Sequence, residues 1–313
     1  MNPSINSKLK AMYAEKLNRE DLEDLMKQQN LTDAIYLLKN KVKEIENLPI
    51  DAKRLEIEES LDKILISDIL KISKYVTSKN QDIWRIYLLK FKIKLIKELW
   101  NNINSNEDID IQLWTSFLFT DLKGLDQVKN KDDFIVKIHN NDIKQILQKD
   151  ITIFERENNL DKMFFEKFAK ISKESNNKVF EIIQKEIDLN NIVWTYRMAQ
   201  YKNYNYKEFI VSKYCSISDE VFKNIQDSKN INALKIALSV TKYKNVITSN
   251  IEIDIKKYLY KIYERIFKTE MLDFSLVIAY FKLLELQREN IITILEGIRY
   301  KLDIKEIQKR IIY

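Results

Sequence analysis

The sequence predicts an all-α protein, built from three similar helical units, and three observations carry that prediction. Glycine and proline each occur only twice in 313 residues, against roughly 7% and 5% in ordinary proteins. Such scarcity favours long helices joined by polar turns, with little sheet. Apolar residues recur at steps of about three, four and seven, the signature of one buried helix face. The third observation is a pattern written three times, at residue numbers that differ by 100. From Asp21 it reads Leu22, Leu25, Asn30, Leu31, Ala34, Leu38. From Asp121 it reads Leu122, Leu125, Asn130, Lys131, Phe134, Ile138. From Val221 it reads Phe222, Ile225, Asn230, Ile231, Leu234, Leu238.

The pattern reads as helix, cap, helix. Asparagine is a good N-cap, because its side-chain oxygen accepts a free backbone N–H of the first turn. Asp33 and Asp133 follow three residues after Asn30 and Asn130 and suit the positive end of the helix dipole. The third copy has Ala233 there. Repetition on this scale divides the chain into units at 1–104, 105–200 and 201–313. It points to a scaffold built by stacking, not to a single catalytic cleft.

Along the chain, residues 5–45 read as two or three helices. Ile5, Leu9 and Met12 form the first stripe, and Asn18 caps the second helix with Asp21 three residues on. Pro49 is expected in the first turn of the next helix, where a missing N–H costs little. Residues 50–101 read as long helices, with Leu55, Leu61, Ile64, Leu65 and Ile69, then Trp84, Tyr87, Leu88, Phe91 and Leu95, as apolar stripes. NNINSNEDID, residues 101–110, is the clearest linker. Residues 111–150 hold the second copy, 151–200 are helical, 201–247 hold the third copy, and the rest is helical to Tyr313. Each unit closes on an apolar helix with polar breaks. Asn191–Ile192 and Asn290–Ile291 look equivalent there, with Leu95–Ile96 in the first unit.

The residues exclude much chemistry. Gly124 and Gly297 are too far apart for a P-loop or a dinucleotide fingerprint. His139 and Cys215 are the single histidine and the single cysteine, so a zinc finger has no ligand set. A Ser–His–Asp or Cys–His arrangement would have to use His139, which sits among Lys137, Asn140 and Asn141 as an ordinary helix residue. Asp108 and Asp110 resemble the start of a calcium loop that lacks its glycine. The neighbours Glu58–Glu59 and Asp132–Asp133 point to different sides of a helix and form no dyad. Cofactors and catalytic or metal residues are therefore not expected. Lone Cys215 also suits a reducing, cytoplasmic setting.

Net charge is +6, from 53 basic and 47 acidic residues. The signs are interspersed, as in RLEIEESLDK, which reads as solvated helix faces. YKNYNYKEF and TKYKNV mix tyrosine with lysine as a nucleic-acid binder would. Near-balanced charge favours a helical core with amphipathic edges instead. The run RYKLDIKEIQKR is more basic, and a solvated last helix is the expectation. The uncharged stretches Ile111–Thr120 and Phe274–Phe281 fall far short of the ~20 residues of a membrane span. The start, MNPSINSKLK, has no apolar signal region.

A family resemblance follows from particular segments. INSKLKAMYAEKLNREDLEDLMKQQNLTDAIYLL resembles the opening of the C-type stalk component of prokaryotic V-type (A-type) ATPases, the counterpart of the eukaryotic d component. EIDLNNIVWTYR resembles that family's middle signature, here Asp188, Asn191, Ile192 and Arg197. NIITILEGIRYKLDIKEI resembles its closing segment, with Gly297 before a basic helix. The chain departs from the family at KYCSISDE, where Cys215 and Ser216 replace a Pro-Gly-rich turn. It departs again at Lys92, where an acid is common. The resemblance implies three similar helical domains arranged as a pseudo-threefold funnel. It implies a non-catalytic rotor part, peripheral on the cytoplasmic side of a membrane. Its partners would be the membrane proteolipid ring and the central shaft subunits, with torque passed between them and no contact with ATP or the ion. A helical adaptor for other protein partners is the alternative that the repeats alone allow.

Overall fold

A computed structural model describes residues 3–103, 109, 111–199 and 205–313. The described residues form helices and turns, with no strand among them, so the protein is all-α. In chain order the helices begin with α1 (Pro3–Ala14), α2 (Arg19–Met26), α3 (Leu31–Lys41), α4 (Arg54–Ser73) and α5 (Gln81–Asn102). Next come α6 (Gln112–Phe117), α7 (Lys131–Lys137), α8 (Asn141–Leu147), α9 (Ile153–Ser175) and α10 (Asn177–Met198). The last five are α11 (Asp219–Gln226), α12 (Ile231–Leu238), α13 (Ile251–Thr269), α14 (Ser275–Arg299) and α15 (Ile304–Arg310).

The three asparagines cap as their spacing predicts. Asn30 accepts from Asp33 N at 2.9 Å, Asn130 from Asp133 N at 2.8 Å, and Asn230 from Ala233 N at 3.0 Å. Asn30 and Asn130 also donate to the carboxylates of Asp33 and Asp133. The apolar positions around each cap are buried: Leu22, Leu25, Ala34 and Leu38; Leu122, Leu125, Phe134 and Ile138; Phe222, Ile225, Leu234 and Leu238. Alanine at any one of the three caps is expected to cost ~1 kcal/mol, read from urea unfolding. Equal stability of all three variants and wild type would show that the caps are not formed in solution.

Three expectations are corrected. The helix before the cap is complete in the first and third copies, as α2 and α11. In the second copy it shrinks to a 3-10 turn at Thr120–Leu122. Gly124, with φ of 81°, follows after Lys123, and a left-handed residue ends a helix. Pro49 lies in the turn ahead of α4, where its carbonyl accepts from Ala52 N at 3.2 Å, rather than in a first helical turn. Leu55 is 68% exposed, unlike Leu61, Ile64, Leu65 and Ile69, because the buried face of α4 begins at Ile57. Most of the linker 101–110, and residues 201–204 of YKNYNYKEF, lie outside the described residues.

The chain divides into two compact units. The first joins Met1–Val76 to Thr248–Tyr313. Its core brings Leu25, Ile35 and Leu38 of the first helix pair against Ile291, Ile294 and Leu295 of α14, with Leu61 and Ile64 of α4 beside them. Beginning and end of the chain thus share one hydrophobic core. Gly297 lets α15 approach α14: a Cβ there would lie 2.7 Å from both Cγ1 and Cδ1 of Ile307, which is itself buried. Gly297→Ala is expected to cost about 1–3 kcal/mol through overpacking. A melting temperature at or above the wild-type value would refute that close contact.

The second unit is Thr77–Ile247. In it α9 packs between α5 and α10, and α11 packs on α10. The second helix pair rests on α5: Trp100 meets Phe134 edge-on at 5.5 Å, and Lys92 pairs with Asp121. In both units each capped pair therefore packs on a long helix. The second uses α5, the third α10, and the first α14.

Candidate functional site

The long helices carry polar groups one turn apart, and these face the incoming chain. Positions three apart on a helix share a face. On α10, Asn191 donates to Val211 O at 3.0 Å and accepts from Val211 N at 2.9 Å. On α14, Asn290 does the same to Ile312, at 2.8 Å and 2.9 Å. The equivalence read from the sequence is thus a geometric one: each asparagine completes a buried backbone as a strand partner would. One turn earlier stand Asp188 and Gln287. Gln287 Nε2 donates to Leu17 O at 2.6 Å. In α5 the corresponding Leu95 is buried and apolar, and Lys92 reaches Asp121.

Asp188 is the most connected of these groups, and its side chain is fully buried. It accepts from Ser216 N at 2.7 Å, Ser216 Oγ at 2.5 Å, Tyr243 Oη at 2.7 Å and Cys215 Sγ at 3.1 Å, and Lys242 Nζ lies 3.1 Å away. The KYCSISDE turn is held by this carboxylate through Cys215 and Ser216. Burial, with the Asp188 charge beside it, pushes the Cys215 thiol up to about 12. It remains protonated at neutral pH and is a poor nucleophile.

A second hub lies in the first unit and was not anticipated. Asp68 of α4 is buried, accepts from Tyr280 Oη at 2.6 Å and pairs with Lys16 at 3.0 Å. Its signal in the sequence is a lone acid within the apolar run Ile64, Leu65, Ile66, Ile69. Beside it opens a cleft of about 380 Å³, whose lining includes Tyr13, Arg19, Tyr260, Glu264, Gln287 and Tyr313. Burial raises the hydroxyls of Tyr13, Tyr260 and Tyr280, helped respectively by Glu264, Tyr13 and Asp68. Protonated near pH 7, these hydroxyls serve as hydrogen-bonding groups within the fold, Tyr280 toward Asp68, and are poorly suited to proton transfer.

The residues weighed for chemistry are placed apart. His139 is exposed, just beyond α7. Glu58 pairs with Arg54 at 2.7 Å, and Asp133 is bonded to its cap. Tyr206 and Tyr243 of the tyrosine–lysine segments are buried, with hydroxyls bonded to Asp219 and Asp188. Arg197 is exposed on α10. Asp108 and Asp110 lie outside the described residues. Among the described residues no three His, Cys, Asp or Glu side chains gather as metal ligands. No helix among them is long and apolar enough to cross a membrane.

The capped pairs, the Asp188–Asn191 signature and the Gly297 contact span the chain from end to end. The model of the ATP synthase (C/AC39) subunit family matches residues 5–310. The chain belongs to that family. A C/AC39 chain is a subunit of a V/A-type ATPase, and its associates are other subunits of that complex. In the segment EIDLNNIVWTYR, Asp188, Asn191 and Ile192 are fully buried, while Arg197 is exposed. No curated protein matches the chain.

Proposed function

We propose that this C/AC39 chain is the non-catalytic socket of the rotor, joining the membrane proteolipid ring to the central shaft. Its three repeats, 1–104, 105–200 and 201–313, form a funnel around a pseudo-threefold axis. The funnel sits on the cytoplasmic side, rests on the ring and receives the foot of the shaft. Torque passes through it while ATP and the transported ion are handled by other subunits.

One observation carries the reading: the same capped helix recurs three times against a long helix, and α14 from the end of the chain serves the first copy. A repeat set whose last member serves its first suits a closed body around an axis better than an open solenoid. Stiffness supports it too. A torque-bearing part needs interfaces that do not slip, which favours broad contacts on rigid helices, and two glycines in 313 residues leave little backbone freedom.

The test is affinity capture of the tagged chain from its own cells in mild detergent, with partners identified by mass. Recovery of a proteolipid ring together with shaft subunits is the expected result. Recovery of soluble partners alone would overturn the socket reading and favour an adaptor.

A further inference from the structure

Two turns of the first unit meet and leave a group of apolar side chains outside. The backbone ahead of α4 and the turn between α14 and α15 are joined by Arg299, whose guanidinium donates to Ala52 O at 2.6 Å. Arg54 interacts across the same junction with Glu296 and Tyr300. On these two turns Ile50, Leu55, Tyr300, Leu302 and Ile304 are all exposed, Tyr300 by 71%. Single apolar side chains scattered on a surface are ordinary, but five on two joined turns are not. The backbone adds to this. Lys301 has φ of 55°, a left-handed conformation that favours glycine, and Leu302 N donates to Gly297 O at 2.9 Å. After such a turn the next apolar residue commonly packs back on the helix, yet Leu302 stays 40% exposed.

The same turns are basic. Residues 49–56 and 299–310 hold seven basic and four acidic side chains, in a chain whose signs are otherwise nearly balanced. Arg54, Arg299 and Lys309 are paired with Glu58, Glu296 and Glu306. Lys53, Lys301, Lys305 and Arg310 are exposed and form no ion pair among the described residues. Glu56 and Asp303 accept from the backbone N–H groups of Lys53 and Lys305. Asp51, and Glu59 one turn beyond Leu55, are the exposed acids that oppose these cations. We propose that this surface binds the anionic face of a lipid membrane. Leu55, Tyr300 and Leu302 enter the headgroup layer, and the four cations meet lipid phosphates. The inference goes beyond the socket reading and does not need it, because the contact is with lipid and not with the ring. Lysine selects lipid over a protein partner: protein interfaces are depleted in it, whereas its long stem carries the charge up to headgroups while apolar neighbours go deeper. Tyrosine suits the same boundary. Apolar burial and attraction to anionic lipid add together, and each cation near such a surface strengthens binding by about fivefold.

The test is flotation of the full chain with vesicles of phosphatidylcholine and phosphatidylglycerol in equal parts, and with vesicles of phosphatidylcholine alone. Wild type is expected to bind the anionic vesicles at least about tenfold more tightly than the neutral ones. That preference should vanish at high salt, where the screening length falls to about 3 Å. One variant joins Lys301→Gln, Lys305→Gln and Arg310→Gln, and another joins Leu55→Ser, Tyr300→Ser and Leu302→Ser. Each should weaken binding to anionic vesicles by about tenfold or more. The charge control joins Lys129→Gln, Lys223→Gln and Lys229→Gln, and the apolar control joins Ile236→Ser and Val240→Ser, all exposed positions of the second unit. Both controls should bind as wild type does. Helix content and melting temperature verify that each variant is folded, and Lys305→Gln with Arg310→Gln, which spares the Lys301 turn, replaces a triple variant that is not. Absence of wild-type binding to anionic vesicles would overturn the proposal, as would undiminished binding by a folded patch variant or equal losses in the controls. If the patch variants weaken capture of other ATPase subunits while no vesicle is bound, the surface is a protein contact and the proposal falls.

Discussion

Proline at position 192 is expected to unfold the second unit. Ile192 lies inside α10 and is fully buried. Proline there removes the helical hydrogen bond from residue 192 to residue 188, and its ring collides with the carbonyl of Asp188. The damage falls on the turn that carries Asp188 and Asn191, so two tertiary anchors shift along with one helical bond. A loss of more than about 3 kcal/mol is expected, read from urea unfolding followed by circular dichroism. Ile192→Val separates the causes: it keeps the helix, removes one methylene and should cost only about 0.5–1.5 kcal/mol. An unchanged midpoint for Ile192→Pro would mean that residues 177–198 do not form a continuous helix.

Removing the Asp188 carboxylate is expected to have the next largest effect. In Asp188→Leu, Ser216 N, Ser216 Oγ and Tyr243 Oη lose their shared acceptor inside the fold. Breaking one side of a buried charged network typically costs about 3–5 kcal/mol, mainly because the remaining partners stay desolvated. Asp188→Asn keeps one acceptor oxygen and should fall between wild type and the leucine variant. Lys242 is 46% exposed, so Lys242→Ala should change stability by less than about 1 kcal/mol. A Leu variant as stable as Lys242→Ala would show that the hub is open to water in solution.

Local order was legible because it is written in short spacings. The caps at Asn18, Asn30, Asn130 and Asn230 follow from an asparagine placed before an apolar period, and each forms the expected bond. The buried faces of α1, α3 and α12 were visible for the same reason. The errors are also local. Gly124 reads as one residue in an otherwise helical stretch, yet its left-handed backbone cuts the second copy's first helix to a single turn. Leu55 fits the apolar stripe of its neighbours but sits at the first turn of α4, before the helix meets the core. Period alone does not say where along a helix the burial starts.

The functional residues were legible by position rather than by role. Asp188 and Asn191 were in view as polar breaks in an apolar helix, and Gln287 was not singled out. That two of them hold Val211 and Ser216, and the third Leu17, appears only when those backbones arrive. The folded chain explains what they do: they take the place of main-chain hydrogen bonds inside a helical core.

By itself the sequence determined that this protein is helical, repeats its capped helix three times and has neither a nucleotide loop nor a zinc-finger ligand set. Those properties depend on residue type and on spacings within a few turns, so they survive without knowledge of the fold. Only the tertiary structure decided that α14 completes the core of the first pair, that Asp68 and Tyr280 meet, and that Leu55, Tyr300 and Leu302 are left outside. Each depends on contacts between residues far apart in the chain, such as Leu25 with the stripe from Ile291 to Leu295. Burial is a property of a helix together with whatever covers it. An apolar period says that a face will be buried, and only the folded chain says against what.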